Sequence, residues 1–297
     1  MELLSIGFLH PGEMGVSLAA TALRGGHLAL WASEGRSAAT RERAAEHGLT
    51  DAGSVAALCA ACDVLLSICP PHAAESVAAA VAEAGFLGVF VDANAIAPER
   101  ARGLERRLAA AGIDVVDGGV IGGPAWTPGT RLVLSGARAA EVAAAFAAGP
   151  LATEVLGPQV GTASALKMAY ASVTKGTTAL LVAALAAAEG HGVREALRRQ
   201  WELDEAGSGD ARVERARRVT RKAWRFAGEM EEIAATFAAA GVPRGFHAAA
   251  AELYGRLARF KDAGEPPALA EVLAAAAAAA GPEVPAAVAG DTAEDAH

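Results

Sequence analysis

The segment Leu3-Leu4-Ser5-Ile6-Gly7-Phe8-Leu9-His10-Pro11-Gly12-Glu13-Met14-Gly15 passes from an apolar run into a turn, and the alanine-rich residues from Val16 to Leu23 follow it. That order reads as strand, tight turn and helix. Glycines in such a turn let the backbone approach a pyrophosphate, and the free N–H groups of the helix start face an anion. A full G-x-G-x-x-G would need glycine at position 10, where histidine stands, so two of three glycines remain, Gly12 and Gly15. The segment is either a dinucleotide corner, with His10, Pro11, Gly12, Glu13, Met14 and Gly15 against the cofactor, or an ordinary strand–helix turn without a ligand.

Outward from this corner, short apolar runs alternate with helical stretches. Strands are expected at 28–31, 64–69, 89–92, 114–117, 131–134 and 154–156, with helices at 37–47, 73–84 and from Pro98 onward. The pattern indicates βαβ units and a mostly parallel sheet. Past Gly157 the strand signal ends. One long apolar-rich helix is expected from Thr162 to about Gly190, then helices near 193–206, 210–226, 228–240, 246–262 and 268–280. The fold class is therefore α/β, a doubly wound Rossmann domain over residues 1–157 followed by an all-α C-terminal domain over 158–282. Periodicity is lost from Gly281, and residues 283–297 are expected to be a flexible tail.

The chain has 297 residues, 53% apolar and 20% charged, which suits two domains with sizeable cores. Its net charge of −8 argues against a general nucleic-acid or anionic-membrane binder. The alanine-rich segments Ala179–Ala188 and Ala274–Ala280 read as too short or too weakly apolar to span a bilayer, and residues 1–15 lack a basic leader region. Three cysteines form no disulfide framework and fit a reducing cytoplasm. Cys59 and Cys62 have C-x-x-C spacing but sit at the end of an alanine-rich helix, which suits small-residue packing. No second pair completes a zinc site, so no metal is expected.

Ligands of open α/β sheets bind beyond the carboxyl ends of the strands, which directs attention to loops 32–37, 69–72, 92–97 and 118–123. In the loop after the second strand, Ser33 and Arg36, with Arg41 nearby, favour a ribose 2′-phosphate and hence NADP, while Glu34 keeps NAD open. The next loop contributes Cys69, Pro70 and Pro71. Lys167 is a lone ammonium in the apolar stretch that opens the long helix; it either snorkels or, desolvated, serves proton transfer. Tyr170, one helical turn on, shares its face and is a candidate for the same pocket.

Gly12-x-Met14-Gly15 after an apolar strand, Asp117-Gly-Gly-Val-Ile-Gly122-Gly123, and Gly161 followed by Lys167, in that order, resemble the β-hydroxyacid dehydrogenase family. This superfamily includes 3-hydroxyisobutyrate and 6-phosphogluconate dehydrogenases and, more remotely, imine reductases. The resemblance covers about residues 3–190. The helical remainder, with segments 229–237 and 245–254, resembles a bacterial branch with its own C-terminal domain. It implies that Lys167 is the general acid/base, that Gly122 and Gly123 hold a substrate carboxylate through backbone N–H groups, and that Asn94 lies beside the nicotinamide. It also implies an active site between the domains and a homodimer built on the long helix.

Departures from the family pattern bear on the substrate. Ile121 stands where relatives have serine before the glycine pair, Ala171 replaces an asparagine four residues after the lysine, and a later Lys-Asp pair falls on Glu231-Glu232. A bulkier, less carboxylate-centred small molecule is the expected substrate. The Arg212–Arg225 stripe is expected to be a solvated helix with salt bridges, or else an anion-binding face. His247 is either structural or faces the substrate pocket. The expected function is NADP-preferring hydride transfer at a hydroxyl or carbonyl carbon; the rival readings are imine reduction and a non-catalytic NADP sensor.

Overall fold

A computed structural model describes residues 3–278. The expected tail at 283–297 and the last residues of the helix expected at 268–280 lie outside the described residues. The described chain forms two compact units that divide between Met168 and Ala169, inside one long helix.

The first unit is built on eight strands: β1 (Ser5–Phe8), β2 (Leu28–Trp31), β3 (Thr50–Asp51), β4 (Val64–Ser67), β5 (Val89–Asp92), β6 (Asp114–Ile121), β7 (Arg131–Ser135) and β8 (Ala152–Val155). They are ordered β3-β2-β1-β4-β5-β6-β7-β8, and every neighbouring pair is parallel except β6 with β7. Helices α1 (Glu13–Arg24), α2 (Ala38–Glu46), α3 (Val55–Ala61), α4 (Ala74–Glu83), α5 (Pro98–Ala109) and α6 (Ala139–Ala145) provide the crossovers. The central strands are apolar throughout because helices cover both faces. Ile6, Phe8, Val64, Leu66, Val89 and Val91 enter one core cluster, while Leu65 and Phe90 point into the other, the period-2 alternation of a pleated strand. The strand order reverses between the parallel neighbours β1 and β4, and that switch point is where open α/β sheets take ligands.

One expectation about this unit is corrected, and one strand goes beyond the expected set. The segment 118–123 is not wholly the expected loop: β6 continues through Ile121, because Asp117 to Ile121 pairs antiparallel with Ser135 to Arg131. The two-residue β3, which adds an edge beside β2, has too little sequence to carry a strand pattern.

The second unit takes the later part of α7 (Thr162–Gly190), then α8 (Arg194–Asp204), α9 (Ser208–Arg218), α10 (Thr220–Ala239), α11 (Gly245–Leu257) and α12 (Leu269–Ala277). Its core includes Val182, Leu185, Met230, Ile233, Tyr254, Leu257 and Val272. The helix expected at 210–226 is in fact two, broken at Val219, so the arginine stripe is divided between α9 and α10. Three of its seven basic residues, Arg215, Arg217 and Arg218, are held by hydrogen bonds and ion pairs. Glu214 pairs with Arg217 and Arg218, Arg217 also donates to the carbonyls of Pro266 and Pro267, and Arg215 binds Thr178.

A further correction concerns α7. Taken as one helix it is long and apolar enough to cross a membrane, with mean hydropathy 1.4, which the separate alanine-rich segments did not reveal. Near its middle it accepts hydrogen bonds from within the protein: the Tyr254 hydroxyl donates to the Lys175 carbonyl at 2.8 Å, and Arg215 reaches the Thr174 carbonyl at 3.1 Å.

Candidate active site

The β1–α1 corner is built by close approach. Gly15 has no room for a side chain, since an added Cβ would lie 2.4 Å from the His10 carbonyl oxygen. Gly12, the N-cap of α1, faces open space, with nothing within 4 Å of where its Cβ would be. The backbone here is bare where a ligand would lie against the first-turn amides of α1, which have no intrahelical acceptors.

Arg36 is drawn into the same corner. Its Nη2 donates to the Leu9 carbonyl at 3.1 Å, and its buried Nε has no partner. Burial lowers the guanidinium's proton affinity. His10 is pushed down to about 4 by burial, with the Arg36 charge adding to the effect, so it is neutral at physiological pH, and its buried Nδ1 is also unpartnered. Arg41 lies along the loop after β2, donating to the Ser33 carbonyl at 2.8 Å and the Arg36 carbonyl at 3.3 Å. Ser33 is turned towards Asp51, on which both its hydroxyl and its amide bond, and these bonds hold the Asp51 carboxyl below its ordinary range.

The loops after β4 and β5 are clamped together by Asn94, which is 2% exposed. Its Oδ1 accepts from the Cys69 amide at 2.6 Å, and its Nδ2 donates to Ser67 Oγ at 3.1 Å. Asn94 thus shapes the two loops. Burial pushes the Cys69 thiol up to about 12, so it is no nucleophile. Pro70 and Pro71 lead into a short 3₁₀ turn, and the Pro71 carbonyl accepts from Arg100.

At the end of β6 the expected substrate segment divides. The Ile121 side chain is packed in a small core with Val133 and Ala163, so it is not free to touch a substrate; strand alternation turns it towards α7. Gly122 has a φ of 125°, a conformation that favours glycine, and Thr130 Oγ1 ties the turn by donating to the Gly123 carbonyl at 2.7 Å. Lys167 reaches this strand end: its Nζ donates to the Val120 carbonyl. The approach needs glycine at 119, where a Cβ would lie 3.0 Å from the Lys167 Cβ. Tyr170 is 48% exposed on α7.

Sequence reasoning missed the buried carboxyls Asp92 and Asp117, which face each other in register across β5 and β6. Burial raises the Asp117 carboxyl above its ordinary range, and four donors, from Gly161, Ser135 and Ser164, oppose that rise. Asp92 Oδ1 accepts the Asn94 backbone amide, and its Oδ2 has no hydrogen-bond partner. Burial pushes Asp92 up to about 7, and the Asp117 charge adds to the rise. The proton of this pair therefore sits on Asp92.

In the second unit, His247 is 6% exposed and edge-on to Phe237 and Phe246. Burial holds its imidazole below the ordinary value. Also missed was the Lys175–Glu229 ion pair, whose side chains are 13% and 12% exposed, with the ammonium 4.9 Å from the Phe226 ring. Lys175 lies in the same apolar stretch that singled out Lys167 and could have been found by the same argument. Glu232 is buried on α10.

The reversed strand order and the bare corner define a dinucleotide-binding α/β protein. Residues 5–148 match the NAD binding domain of 6-phosphogluconate dehydrogenase, and residues 188–257 match a domain of unknown function, DUF1932. No curated protein is significantly similar. The conserved protein MTH1747, of unknown function and described as structurally similar to 3-hydroxyacid dehydrogenases, is 30% identical, with 87% of this chain and 99% of that one covered and a TM-score of 0.63. The Mycobacterium tuberculosis 3-hydroxyisobutyrate dehydrogenase shares the fold at 18% identity, covering 93% and 100% with a TM-score of 0.65. So does the Aspergillus terreus reductive aminase, solved with NADPH and ethyl levulinate, at 22% identity, covering 92% and 99% with a TM-score of 0.53. The chain belongs to the 6-phosphogluconate dehydrogenase-like superfamily of NAD(P)-dependent dehydrogenases and reductases, in a branch that carries the DUF1932 domain.

Proposed function

We propose that the chain is an NADP-preferring oxidoreductase that moves a hydride between nicotinamide and the hydroxyl or carbonyl carbon of a small, 3-hydroxy-acid-like substrate, with Lys167 as its proton-transfer group. The observation that carries this reading is the Lys167 ammonium on the Val120 carbonyl, at the strand end that turns through Gly122 and Gly123. In the reducing direction an ammonium there gives a proton to the oxygen that becomes a hydroxyl; in the oxidising direction the neutral amine takes it back. The bound nicotinamide would supply or accept the hydride.

Gly12, the first turn of α1, Arg36 and the loop Cys69–Pro71 would hold the coenzyme. The two orphaned buried groups, Arg36 Nε and His10 Nδ1, fit a ligand with acceptor oxygens. Preference for NADP is supported by the positive charge of Arg36 and Arg41 along the loop after β2 and by the engagement of Asp51 with Ser33. With Ile121 packed inward, this strand end would offer a substrate backbone N–H groups instead of a hydroxyl, which suits a bulkier, less carboxylate-centred molecule.

Self-association as a homodimer is supported by the exposed apolar residues Tyr170, Val173 and Leu180 of α7, and a cytoplasmic location by three free thiols. The test of the activity is NADPH consumption with a panel of 3-oxo acids, aldehydes, ketones and imines. Lys167→Met should abolish turnover while leaving NADPH affinity within about threefold, because its ammonium serves the transition state and not coenzyme binding. Full turnover in that variant would remove the lysine from the reaction. Preferential turnover of imines would move the assignment to imine reduction.

A further inference from the structure

Helix α7 begins at Thr162, and its N-cap position is Gly161, which has no side chain with which to satisfy the first-turn amides. The cap comes instead from a strand. Asp117, 1% exposed on β6, accepts at Oδ2 from the Gly161 amide (2.9 Å), the Ser164 amide (2.9 Å) and Ser135 Oγ (3.0 Å), and at Oδ1 from Ser164 Oγ (2.5 Å). Ser135 Oγ in turn accepts from the Ala163 amide at 3.0 Å. One buried carboxylate and the serine it orients thus hold three consecutive-turn amides of the helix start. The same strand receives what the helix presents one turn later. Lys167 follows Ser164 by three residues, and the carbonyl it binds, Val120, follows Asp117 by three residues. At Gly119, between them, an added Cβ would lie 3.0 Å from the Lys167 Cβ.

We infer that Asp117 is a positioning residue: by capping α7 from β6 it sets where the Lys167 ammonium stands against the strand end. The inference rests on the Lys167 role proposed above for its catalytic consequence, but the placement of the ammonium can be read without turnover. A local serine or aspartate N-cap would stabilise the helix equally well without fixing its register against β6. A cap delivered by the strand couples the two elements, so a change at Asp117 reaches Lys167 and no other lysine directly.

The sequence has four lysines, Lys167, Lys175, Lys222 and Lys261. Reductive methylation of the full chain with ¹³C-formaldehyde therefore gives four lysine side-chain signals, assigned by Lys→Arg variants and titrated by NMR. Asp117→Ala should move the Lys167 midpoint by about one pH unit and leave the other three in place, since the variant removes the cap that seats α7 on β6. Asp117→Asn, whose amide oxygen still accepts from Gly161 and Ser164, should bring the Lys167 environment back towards the native one. With a substrate in hand, Asp117→Ala should lower kcat about 10- to 100-fold at unchanged NADPH affinity, the cost of misplacing a reacting group by an ångström or so.

If Asp117→Ala fails to fold, Ser164→Ala removes only the Oδ1 contact and should show the same Lys167-specific shift at smaller size. A Lys167 titration untouched by these variants overturns the inference. So does a shift shared by all four lysines, which would mark general loosening. Should Lys167→Met keep full turnover while the Lys167 signal still follows Asp117, the proton-transfer role falls and the positioning stands.

Discussion

The sharpest test of the electrostatics described here is Asp92→Asn. The Asp92 carboxyl is 2% exposed, has one oxygen without a partner, and is pushed from 3.8 to about 7 by burial, with the Asp117 charge beside it. The unfolded chain releases this proton near pH 4, whereas the folded chain keeps it until about pH 7. Between those values the folded state binds more protons, so its stability falls as pH rises and levels off above about pH 7. At about 1.4 kcal/mol for each pH unit between the two values, the penalty at pH 8 is about 4 kcal/mol. Asparagine keeps the shape and the acceptor for the Asn94 amide but carries no charge. Its amide hydrogens face the position of the orphaned oxygen and cost about 1–3 kcal/mol. The net expectation is a variant about 2 kcal/mol more stable than the parent at pH 8 and about 2 kcal/mol less stable at pH 4, where the charge penalty is nearly gone and the amide cost remains. Urea unfolding at the two pH values measures both differences. A difference that is the same at pH 4 and pH 8 refutes the placement of the proton on Asp92.

The two corner glycines should separate folding from binding. Gly12→Ala has open space for its methyl group and should leave the melting temperature unchanged while weakening NADPH binding at least about tenfold, read by coenzyme fluorescence; unaltered affinity would mean that no ligand lies on that backbone. Gly15→Ala must displace the His10 carbonyl and should cost about 1–3 kcal/mol of stability as well as binding, measured by urea unfolding. Arg36→Ala should erase any preference for NADPH over NADH in a calorimetric titration, and a preference that survives would place the 2′-phosphate elsewhere. Lys175→Met leaves Glu229 buried and unpaired and should cost about 3 kcal/mol, much of it recovered in Lys175→Met/Glu229→Leu, which removes both charges.

The corner at residues 5–15 could be read directly because every force acting there is local: an apolar run makes the strand, Gly15 admits the His10 carbonyl, and the helix starts within three residues of the turn. Long α7 was legible for the same reason, as its composition alone favours one continuous helix. Where the sequence reading stopped short, the deciding contact comes from far along the chain. Asp117 and Ser164 are 47 positions apart, and only the β6–α7 packing brings them together. The stretch from Gly118 to Gly123 has the composition of a loop, yet pairing with β7 makes it strand through Ile121 and turns that side chain inward. The break at Val219 lies in an arginine-rich run without glycine or proline to mark it; Thr220 Oγ1 donates to the Arg217 carbonyl at 2.6 Å there, a local bond that competes with helix continuation.

The same distinction explains why two aspartates at equivalent places on neighbouring strands carry different chemistry. Nothing in the tetrapeptides Val89–Asp92 and Asp114–Asp117 separates one terminal carboxyl from the other. Four donors converge on Asp117 because a helix start arrives there, while Asp92 is served by Asn94 of its own loop and has one oxygen without a partner. Charge then follows the donors, and the proton follows its absence. The carboxyl whose burial is opposed by four donors is the one that also caps the helix of Lys167, so the electrostatics of the sheet end and the position of the proposed proton-transfer group have one cause.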